Sequence, residues 1–239
     1  YQFLMENMQI QNNLIEASHQ NEVEKFIFLG SSCIYPKLAS QPLKEDCLLT
    51  SSLEPTNEWY AIAKITGVKA CEAIRKQYKK DFVSLMPTNL YGTRDNFDLQ
   101  TSHVLPAMIR KFHEAKKNKH APVKLWGTGK PMREFLFVDD LADAVLFALE
   151  NKLSHHLYNV GTGIDITIKE LALKIQKITG HEGEIIWDNS KPDGTPRKLM
   201  DVSRLKNAGW NYKTSLDEGL QLTYNWFLAN QDNFKEVKI

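Results

Sequence analysis

KFIFLGSSCIYP, residues 25–36, joins a short apolar run to a turn that carries two hydroxyls, a thiol and a phenol. A run of about five apolar residues that ends at a glycine is typical of a buried strand. In an open α/β sheet, ligands bind outside the carboxyl ends of the strands, so this turn is a candidate rim of a site. Ordinary turn chemistry also places Gly, Ser and Pro after a strand, and the turn alone does not separate the two interpretations.

The rest of the chain alternates helical and extended patterns around this strand. Apolar periodicity predicts strands at 25–29, 82–86, 123–126, 134–137, 157–160 and 184–187. It predicts helices at 1–20, 58–79, 103–117, 139–150, 167–179, 202–208 and 215–229. Strands that alternate with helices of about ten residues or more indicate an α/β protein with a mostly parallel sheet. The segment 93–102 lacks a long apolar run and is the candidate domain boundary.

Composition argues against several classes of function. The 239 residues carry a net charge of +1, so nothing in the composition indicates nucleic-acid binding. Apolar runs shorter than about 18 residues disfavour a membrane span. Cys33, Cys47 and Cys71 lack the spacing of a zinc site or of a disulfide framework. We therefore expect a cytoplasmic protein that has no metal ion and binds neither nucleic acid nor a membrane.

The stretch NEWYAIAKI, residues 57–65, adds a second candidate element. Tyr60 and Lys64 are four residues apart, so a helix places both side chains on one face. A phenol is a poor proton carrier at its usual pKa of about 10, and we expect the Lys64 ammonium to lower the pKa of Tyr60. The Ser31 hydroxyl can hold a substrate oxygen as charge develops on it. A Tyr-x-x-x-Lys pair occurs by chance in many helices, but this one follows a strand-end serine.

The order Ser31, Tyr60, Lys64 resembles the extended type of the short-chain dehydrogenase/reductase superfamily. Further segments narrow the resemblance to the GDP-L-fucose synthase family: FLGSSCIYP, LEPTNEWYAIAKI, MPTNLYG, DNFDLQTSHVLPAMIRKFHEAK, LWGTGKPMREFLFVDDLA, NVGTGIDITIKELA and SKPDGTPRKLMDVSRLKNAGW. The resemblance implies a Rossmann-like, doubly wound, mostly parallel sheet with a smaller C-terminal α/β domain. It also implies NADP(H)-dependent conversion of GDP-4-keto-6-deoxy-D-mannose into GDP-L-fucose, by 3,5-epimerisation and then 4-keto reduction.

The resemblance implies catalytic roles for five side chains. Tyr60 would protonate the C4 oxygen, Lys64 would tune Tyr60 and hold the nicotinamide ribose, and Ser31 would bind the oxyanion. Cys33 and His103 would exchange protons at C3 and C5, which are acidic because they flank the carbonyl. Thiols and imidazoles have ordinary pKa values of about 8.5 and 6.5, so both exchange protons near neutral pH. Which of the two is the base and which is the acid stays open.

Binding residues also follow from the resemblance. The implied cofactor contacts are Leu29, Gly30, Ser31, Ser32, Lys64, Pro87, Thr88, Asn89, Leu90 and His103. The implied substrate contacts are Lys111, Trp126, Arg133 and Asp193. Arg133 could grip a diphosphate with two parallel hydrogen bonds, whereas Lys111 would act as a point charge. Lys111 could equally be a solvated helix residue, Trp126 a core residue and Asp193 an ordinary turn former.

One element of the resembled family is not found in this sequence. No strand, Gly-rich turn and helix start of the kind that binds a cofactor pyrophosphate occurs in the expected context. We therefore expect a chain that lacks about the first quarter of the protein, including N-terminal strands of the sheet, and binds NADPH poorly by itself. Residues 1–95 would form a partial dinucleotide-binding domain and 96–239 mainly a substrate domain, with about 134–160 returning to the first.

Other functions remain open at this stage. The family resemblance implies a homodimer that acts on GDP-4-keto-6-deoxy-D-mannose. Another extended nucleotide-sugar enzyme, such as a 4-epimerase or a dehydratase, would share Ser31, Tyr60 and Lys64 but would have no evident need for Cys33 with His103. A catalytically incomplete protein that only binds a nucleotide sugar is the non-enzymatic alternative.

Overall fold

The computed structural model describes residues 1–231 and divides the chain into two compact units. The first unit consists of Tyr1–Asn89, Asp140–Gly163 and Leu199–Tyr212. The second consists of Leu90–Asp139, Ile164–Lys198 and the segment that starts at Lys213. Each unit is therefore built from segments that are distant in sequence.

Helices and strands alternate along most of the chain. The helices are α1 (Gln2–Gln20), α2 (Glu58–Tyr78), α3 (Val104–Lys117), α4 (Val138–Glu150), α5 (Ile168–Thr179), α6 (Ser203–Asn207) and α7 (Leu216–Ala229). The strands are β1 (Lys25–Leu29), β2 (Asp81–Pro87), β3 (Asn89–Tyr91), β4 (Val123–Trp126), β5 (Met132–Phe137), β6 (Leu157–Val160), β7 (Asp165–Thr167), β8 (Ile185–Asp188) and β9 (Arg197–Lys198). In residues 1–231, no helix is long and apolar enough to cross a membrane.

A parallel sheet in the order β1-β2-β6 forms the centre of the first unit. Its apolar core includes Phe28, Phe82 and Met86 from the strands. Helix α2 packs on β1 at Gly67, where an added Cβ would lie 2.3 Å from the Phe28 ring. Only glycine permits this close approach of helix and strand. Because the strands are parallel and in register, their carboxyl ends form one edge, and α2 is held against that sheet.

Within residues 1–231, the second unit contains a four-stranded sheet and a two-stranded sheet. Strand β5 pairs antiparallel with β7 and parallel with β9, in a four-stranded sheet that also includes β3. Strands β4 and β8 form a parallel pair. Helix α5 begins with a capping box in which Thr167 and Glu170 satisfy each other's backbone N–H groups. The core of this unit is rich in aromatic side chains, among them Phe97, Phe112 and Phe227.

The longer elements agree with the sequence prediction to within two residues at each end. Strands β3, β7 and β9 were not predicted, and neither were the 3-10 turns Ser32–Ile34, Glu45–Cys47 and Pro55–Asn57. These strands have two or three residues, too few to show a period, and β7 and β9 form through pairing with β5. A sequence pattern detects a strand only when its own residues alternate or run apolar.

Candidate active site

The turn after β1 is fixed by backbone and side-chain hydrogen bonds. The Gly30 amide donates to the Leu85 carbonyl of the neighbouring strand at 2.9 Å. The Ser31 Oγ accepts from the Cys33 amide at 3.2 Å and caps the 3-10 turn Ser32–Ile34. The Ile34 side chain is fully buried in the core of the first unit, and this packing anchors the turn. The predicted catalytic residues Ser31 and Cys33 thus lie at the carboxyl end of a buried strand.

Helix α2 brings Tyr60 and Lys64 to this turn. The Lys64 Nζ donates to the Leu29 carbonyl at 3.0 Å, and it lies 5.7 Å from the centre of the Tyr60 ring. The Ser31 and Cys33 side chains both act on the pKa of the Tyr60 phenol. In the first unit, Ser31, Cys33, Tyr60 and Lys64 therefore form one cluster, as their order in the sequence predicted.

Burial dominates the electrostatics of this cluster. It raises the pKa of Tyr60, the charge of a Cys33 thiolate would raise that pKa further, and the Ser31 side chain works in the opposite direction. Burial also lowers the pKa of the Lys64 ammonium. The pKa of Tyr60 is thus raised overall, whereas the Lys64 ammonium was expected to lower it, and burial of the phenol is the largest cause. Tyr60 keeps its proton at neutral pH.

The predicted cofactor contacts of the first unit lie at the carboxyl ends of β1 and β2. Leu29 pairs in register with Leu85, so Leu29–Ser32 and Pro87–Asn89 follow neighbouring strands at one edge of the sheet. The Thr88 amide donates to the Val160 carbonyl at 3.0 Å, and Thr88 is buried. Leu90 is the first residue of the second unit. Strand ends of this kind are where nucleotides bind in open α/β sheets.

The donor set at this edge fits a nicotinamide ribose. An ammonium carries three donors. Within residues 1–231, one donor of Lys64 is engaged by the Leu29 carbonyl. The others are available to ribose hydroxyls, and the half-buried position of Lys64 strengthens such hydrogen bonds.

In the second unit, His103 is the N-cap residue that directly precedes α3. Its backbone is extended, with φ −68° and ψ 167°, and the residue is exposed. The preceding loop is organised by Asp98, whose Oδ1 accepts from the Gln100 amide at 3.0 Å and the Thr101 amide at 2.9 Å. Burial raises the pKa of Asp95 in the same loop, and the charge of His103 opposes that rise. The loop thus presents His103 on an ordered backbone.

Arg133 is a partly buried cation on β5. Its Nη1 donates to the Met132 carbonyl at 2.7 Å, and desolvation lowers the pKa of the guanidinium. No carboxylate of residues 1–231 lies within ion-pair distance of Arg133. A desolvated guanidinium without a carboxylate is suited to receive an anionic ligand. Lys111, a further predicted contact, is half-buried on α3.

The other predicted substrate contacts lie near the turn that follows β4. Trp126 is 69% exposed, so it is not a core residue, and the Lys191 Nζ lies 5.6 Å from its ring centre. The Asp193 carboxylate accepts from the Thr128 amide at 2.8 Å and the Thr128 Oγ1 at 2.6 Å, and these hydrogen bonds lower the pKa of Asp193. At Gly127, an added Cβ would lie 2.2 Å from the Asp193 Oδ1. Both oxygens of Asp193 therefore hold this turn.

Some polar residues close to the site were missed by sequence reasoning. Tyr35, Glu45 and Asn159 are buried in the first unit, and Asn159 is hydrogen-bonded to both of the others. The available signal was an asparagine inside the apolar strand LYNV, because a polar residue in a buried strand needs partners elsewhere in the fold.

Comparison with known proteins identifies the family. A model of the NAD-dependent epimerase/dehydratase family matches residues 1–161. The GDP-L-fucose synthase of Escherichia coli K12 is 54% identical over 98% of this chain and 75% of its own length. The chain belongs to the GDP-L-fucose synthase family. GDP-L-fucose synthase 1 of Arabidopsis thaliana is 56% identical over 97% of this chain and 72% of its own length.

A solved structure of the GDP-L-fucose synthase family supports the same assignment. The GDP-L-fucose synthetase of Naegleria fowleri bound to NADP has a TM-score of 0.88 and 26% identity, over 97% of this chain and 74% of that chain. The recognition of the family from its segments and the prediction of a Rossmann-like α/β fold are both confirmed. The roles of individual side chains stay predictions.

Proposed function

We propose that this protein converts GDP-4-keto-6-deoxy-D-mannose into GDP-L-fucose in two steps, 3,5-epimerisation and NADPH-dependent reduction at C4. Relatives at 54–56% identity are named GDP-L-fucose synthases, and a similar structure is bound to NADP. The observation that carries the proposal is the cluster of Ser31, Cys33, Tyr60 and Lys64 at the carboxyl end of β1. It combines the groups of a carbonyl reductase with a thiol that reduction alone does not need.

The reduction relies on a protonated Tyr60. NADPH, when bound, supplies the hydride to C4. Tyr60 gives its proton to the C4 oxygen as charge develops there, and its raised pKa keeps that proton in place until it is needed. Ser31 donates a hydrogen bond to the same oxygen. Lys64 holds the ribose and is itself fixed by the Leu29 carbonyl.

Epimerisation requires proton removal on one face of the sugar ring and proton delivery on the other. In this proposal Cys33 and His103 supply the two groups. Each exchanges protons near neutral pH, as the reaction requires.

The GDP moiety binds through the second unit in this proposal. Arg133 pairs with the diphosphate, which compensates for its desolvation. Lys111 adds a positive charge, and Trp126 offers an exposed aromatic face. Asp193 contributes by holding the turn that carries Trp126 in place. In this proposal the contacts with the GDP moiety therefore come from the second unit.

We also infer a homodimer in a reducing compartment, the cytoplasm. Helix α1 presents Phe3, Ile10 and Leu14 on one face, with 56%, 63% and 56% of each residue exposed. Burial of such a face against a second copy of α1 would remove this apolar surface from water. Phe3 also lies 5.7 Å from the Tyr60 ring, so the face borders the site. The role of Cys33 requires a reduced thiol.

The decisive experiment supplies GDP-4-keto-6-deoxymannose and NADPH and follows the fall in nicotinamide absorbance. We expect Tyr60→Phe to slow the reaction about 10²- to 10⁴-fold, the usual contribution of a positioned acid. Tyr78→Phe, at the other end of α2, is the matched control and should leave the rate unchanged. Absence of NADPH oxidation by the unmodified protein would overturn the proposal.

A second set of variants separates this function from other extended nucleotide-sugar enzymes. Cys33→Ser and His103→Gln should abolish incorporation of solvent deuterium at C3 and C5 of the substrate. A 4-epimerase or a dehydratase would keep full turnover in both variants, and that result would favour those enzymes instead.

A further inference from the structure

A buried amide joins three separate segments of the first unit. Asn159 on β6 is fully buried. Its Nδ2 donates to the Leu43 carbonyl at 2.9 Å and to the Asp201 carbonyl at 3.0 Å. Its Oδ1 accepts from the Tyr35 hydroxyl at 2.5 Å. Because carbonyl oxygens can only accept, the two carbonyls fix the nitrogen end of the amide and leave the oxygen end for Tyr35.

The backbone of the same residue is held by a buried carboxylate. The Asn159 amide donates to the Glu45 Oε1 at 3.0 Å, and Glu45 is 5% exposed. The Arg204 Nε lies 3.4 Å from the Glu45 Oε2. Each buried polar group of this network is therefore paired, which favours a single arrangement of the residues that form it.

Tyr35 connects this network to the reactive turn. It is 4% exposed and directly follows the 3-10 turn Ser32–Ile34, in which Cys33 is the central residue. The opposite end of the turn is fixed where the Gly30 amide donates to Leu85. Cys33 thus lies between two anchored points, and the Tyr35 hydroxyl is the side-chain anchor on its C-terminal side.

We propose that Tyr35 and Asn159 are positioning residues that hold the Cys33 thiol where it can exchange a proton with the sugar ring. The proposal rests on the function proposed for Cys33. Ser31 has a separate support, because it directly follows Gly30, whose amide donates to the Leu85 carbonyl. Loss of the Tyr35 anchor therefore acts on Cys33 more than on Ser31.

Tyr35→Phe tests the proposal because it removes one hydroxyl and keeps the ring in the core. We expect incorporation of solvent deuterium at C3 and C5, measured without NADPH, to fall about tenfold in kcat with KM unchanged, since small misplacements of reacting groups are costly. Tyr224→Phe is the matched control. It removes a buried phenol that bonds to His113 at 3.0 Å in the second unit, and it should leave the exchange rate unchanged.

Alkylation by iodoacetamide gives a readout that needs no substrate. Freed from its anchor, the half-buried Cys33 should react at least about threefold faster in Tyr35→Phe and in Asn159→Ala, as its exposure rises. Cys71 is fully buried, so its rate should stay constant and reports any general loosening of the fold. Mass spectrometry of the labelled peptides distinguishes the two cysteines.

The outcomes separate this proposal from the proposed function. Without deuterium exchange in the unmodified protein, the proposed function is wrong, and Cys33 alkylation still tests the anchor. If Tyr35→Phe leaves both Cys33 alkylation and exchange unchanged, the positioning role is overturned. An equal rise in Cys71 labelling, or an equal loss of exchange in Tyr224→Phe, also overturns it, because the effect would then be general. Should Asn159→Ala fail to fold, Tyr35→Phe carries the test alone.

Discussion

Lys64 donates from Nζ to the backbone carbonyl of Leu29 at 3.0 Å, which ties the face of α2 to the last residue of β1. This hydrogen bond holds the ammonium in a partly desolvated position, near the rings of Phe28 and Tyr60. Lys64 is therefore a fixed charge and not a mobile surface lysine. We expect loss of the Lys64 charge and loss of the Tyr60 proton to have separate effects on the reduction.

The alkaline limb of the reduction should follow Lys64. Burial lowers the pKa of Lys64 and raises that of Tyr60, so loss of the Lys64 charge moves to lower pH and loss of the Tyr60 proton moves to higher pH. We expect kcat/KM for reduction, measured from about pH 7 to about pH 11, to decline with a midpoint at a pH lower than the ordinary lysine pKa of about 10.4. Lys64→Arg should move the limb to higher pH, because a guanidinium keeps its charge. An identical limb in Lys64→Arg would contradict this assignment.

GDP binding should depend on Arg133. Charge-assisted hydrogen bonds to a desolvated guanidinium are worth roughly 1.5–3 kcal/mol, so Arg133→Ala should weaken GDP binding at least about tenfold. The GDP affinity of Arg133→Lys should lie between those of the unmodified protein and Arg133→Ala, since an ammonium keeps the charge but lacks the planar donor geometry of a guanidinium. Calorimetric titration with GDP measures the affinities. Lys174→Ala, which removes a cation paired with Asp217 elsewhere in the second unit, is the control and should bind GDP normally.

The turn after β4 should tolerate no side chain at Gly127. Gly127 has φ +75°, and an alanine there would strain the backbone and press on the Asp193 carboxylate. We expect Gly127→Ala to lower the free energy of unfolding by about 1–2 kcal/mol and to weaken GDP binding. Gly163→Ala, at φ +71° in the first unit, carries the same strain and meets Val202 at 3.1 Å. Gly163→Ala should therefore lose stability but bind GDP with unchanged affinity. Equal GDP affinities in Gly127→Ala and Gly163→Ala would refute the connection between the turn after β4 and GDP binding.

Stability toward acid should depend on Glu72 of α2. Burial works to raise the pKa of Glu72, but Lys69, Lys76 and His156 outweigh it and lower the pKa to about 2. Because the folded pKa lies below the unfolded value of about 4.3, this stabilisation is present above about pH 4 and is lost as pH falls toward 2.

Glu72→Gln tests this dependence. The lysines are exposed, so screening limits the effect, and we expect the variant to lose about 1 kcal/mol of unfolding free energy at neutral pH and nothing near pH 2. Urea unfolding at both pH values gives the measurement. Glu114→Gln, which breaks the exposed pair with Arg110, should have a smaller effect, and a pH-independent loss in Glu72→Gln would argue against the ion pairs.

Features that depend on local sequence were predictable. Strand β1 has the predicted bounds because an apolar run ends at Gly30, and Tyr60 and Lys64 share a face because helical geometry leaves no alternative. The position of His103 at the start of α3 also followed from periodicity.

Features that depend on the folded environment were not predictable. The direction of the Tyr60 pKa depends on how deeply α2 packs, which the spacing of Tyr60 and Lys64 does not contain. The partners of Asn159 are distant in sequence, so no local pattern reveals them. Both oxygens of Asp193 bond to Thr128, in a segment that the sequence alone gives no reason to place beside it.

The amide of Asn159 also sets an order of events during synthesis. A growing chain leaves the ribosome amino end first, so the turn that carries Cys33 is made long before Asp201. The carbonyl of Asp201 helps to orient the amide that receives the Tyr35 hydroxyl. In the proposed positioning role, the anchor of the Cys33 turn is therefore complete only after Asp201 has emerged. Until then Cys33 lies in a turn whose C-terminal anchor is incomplete.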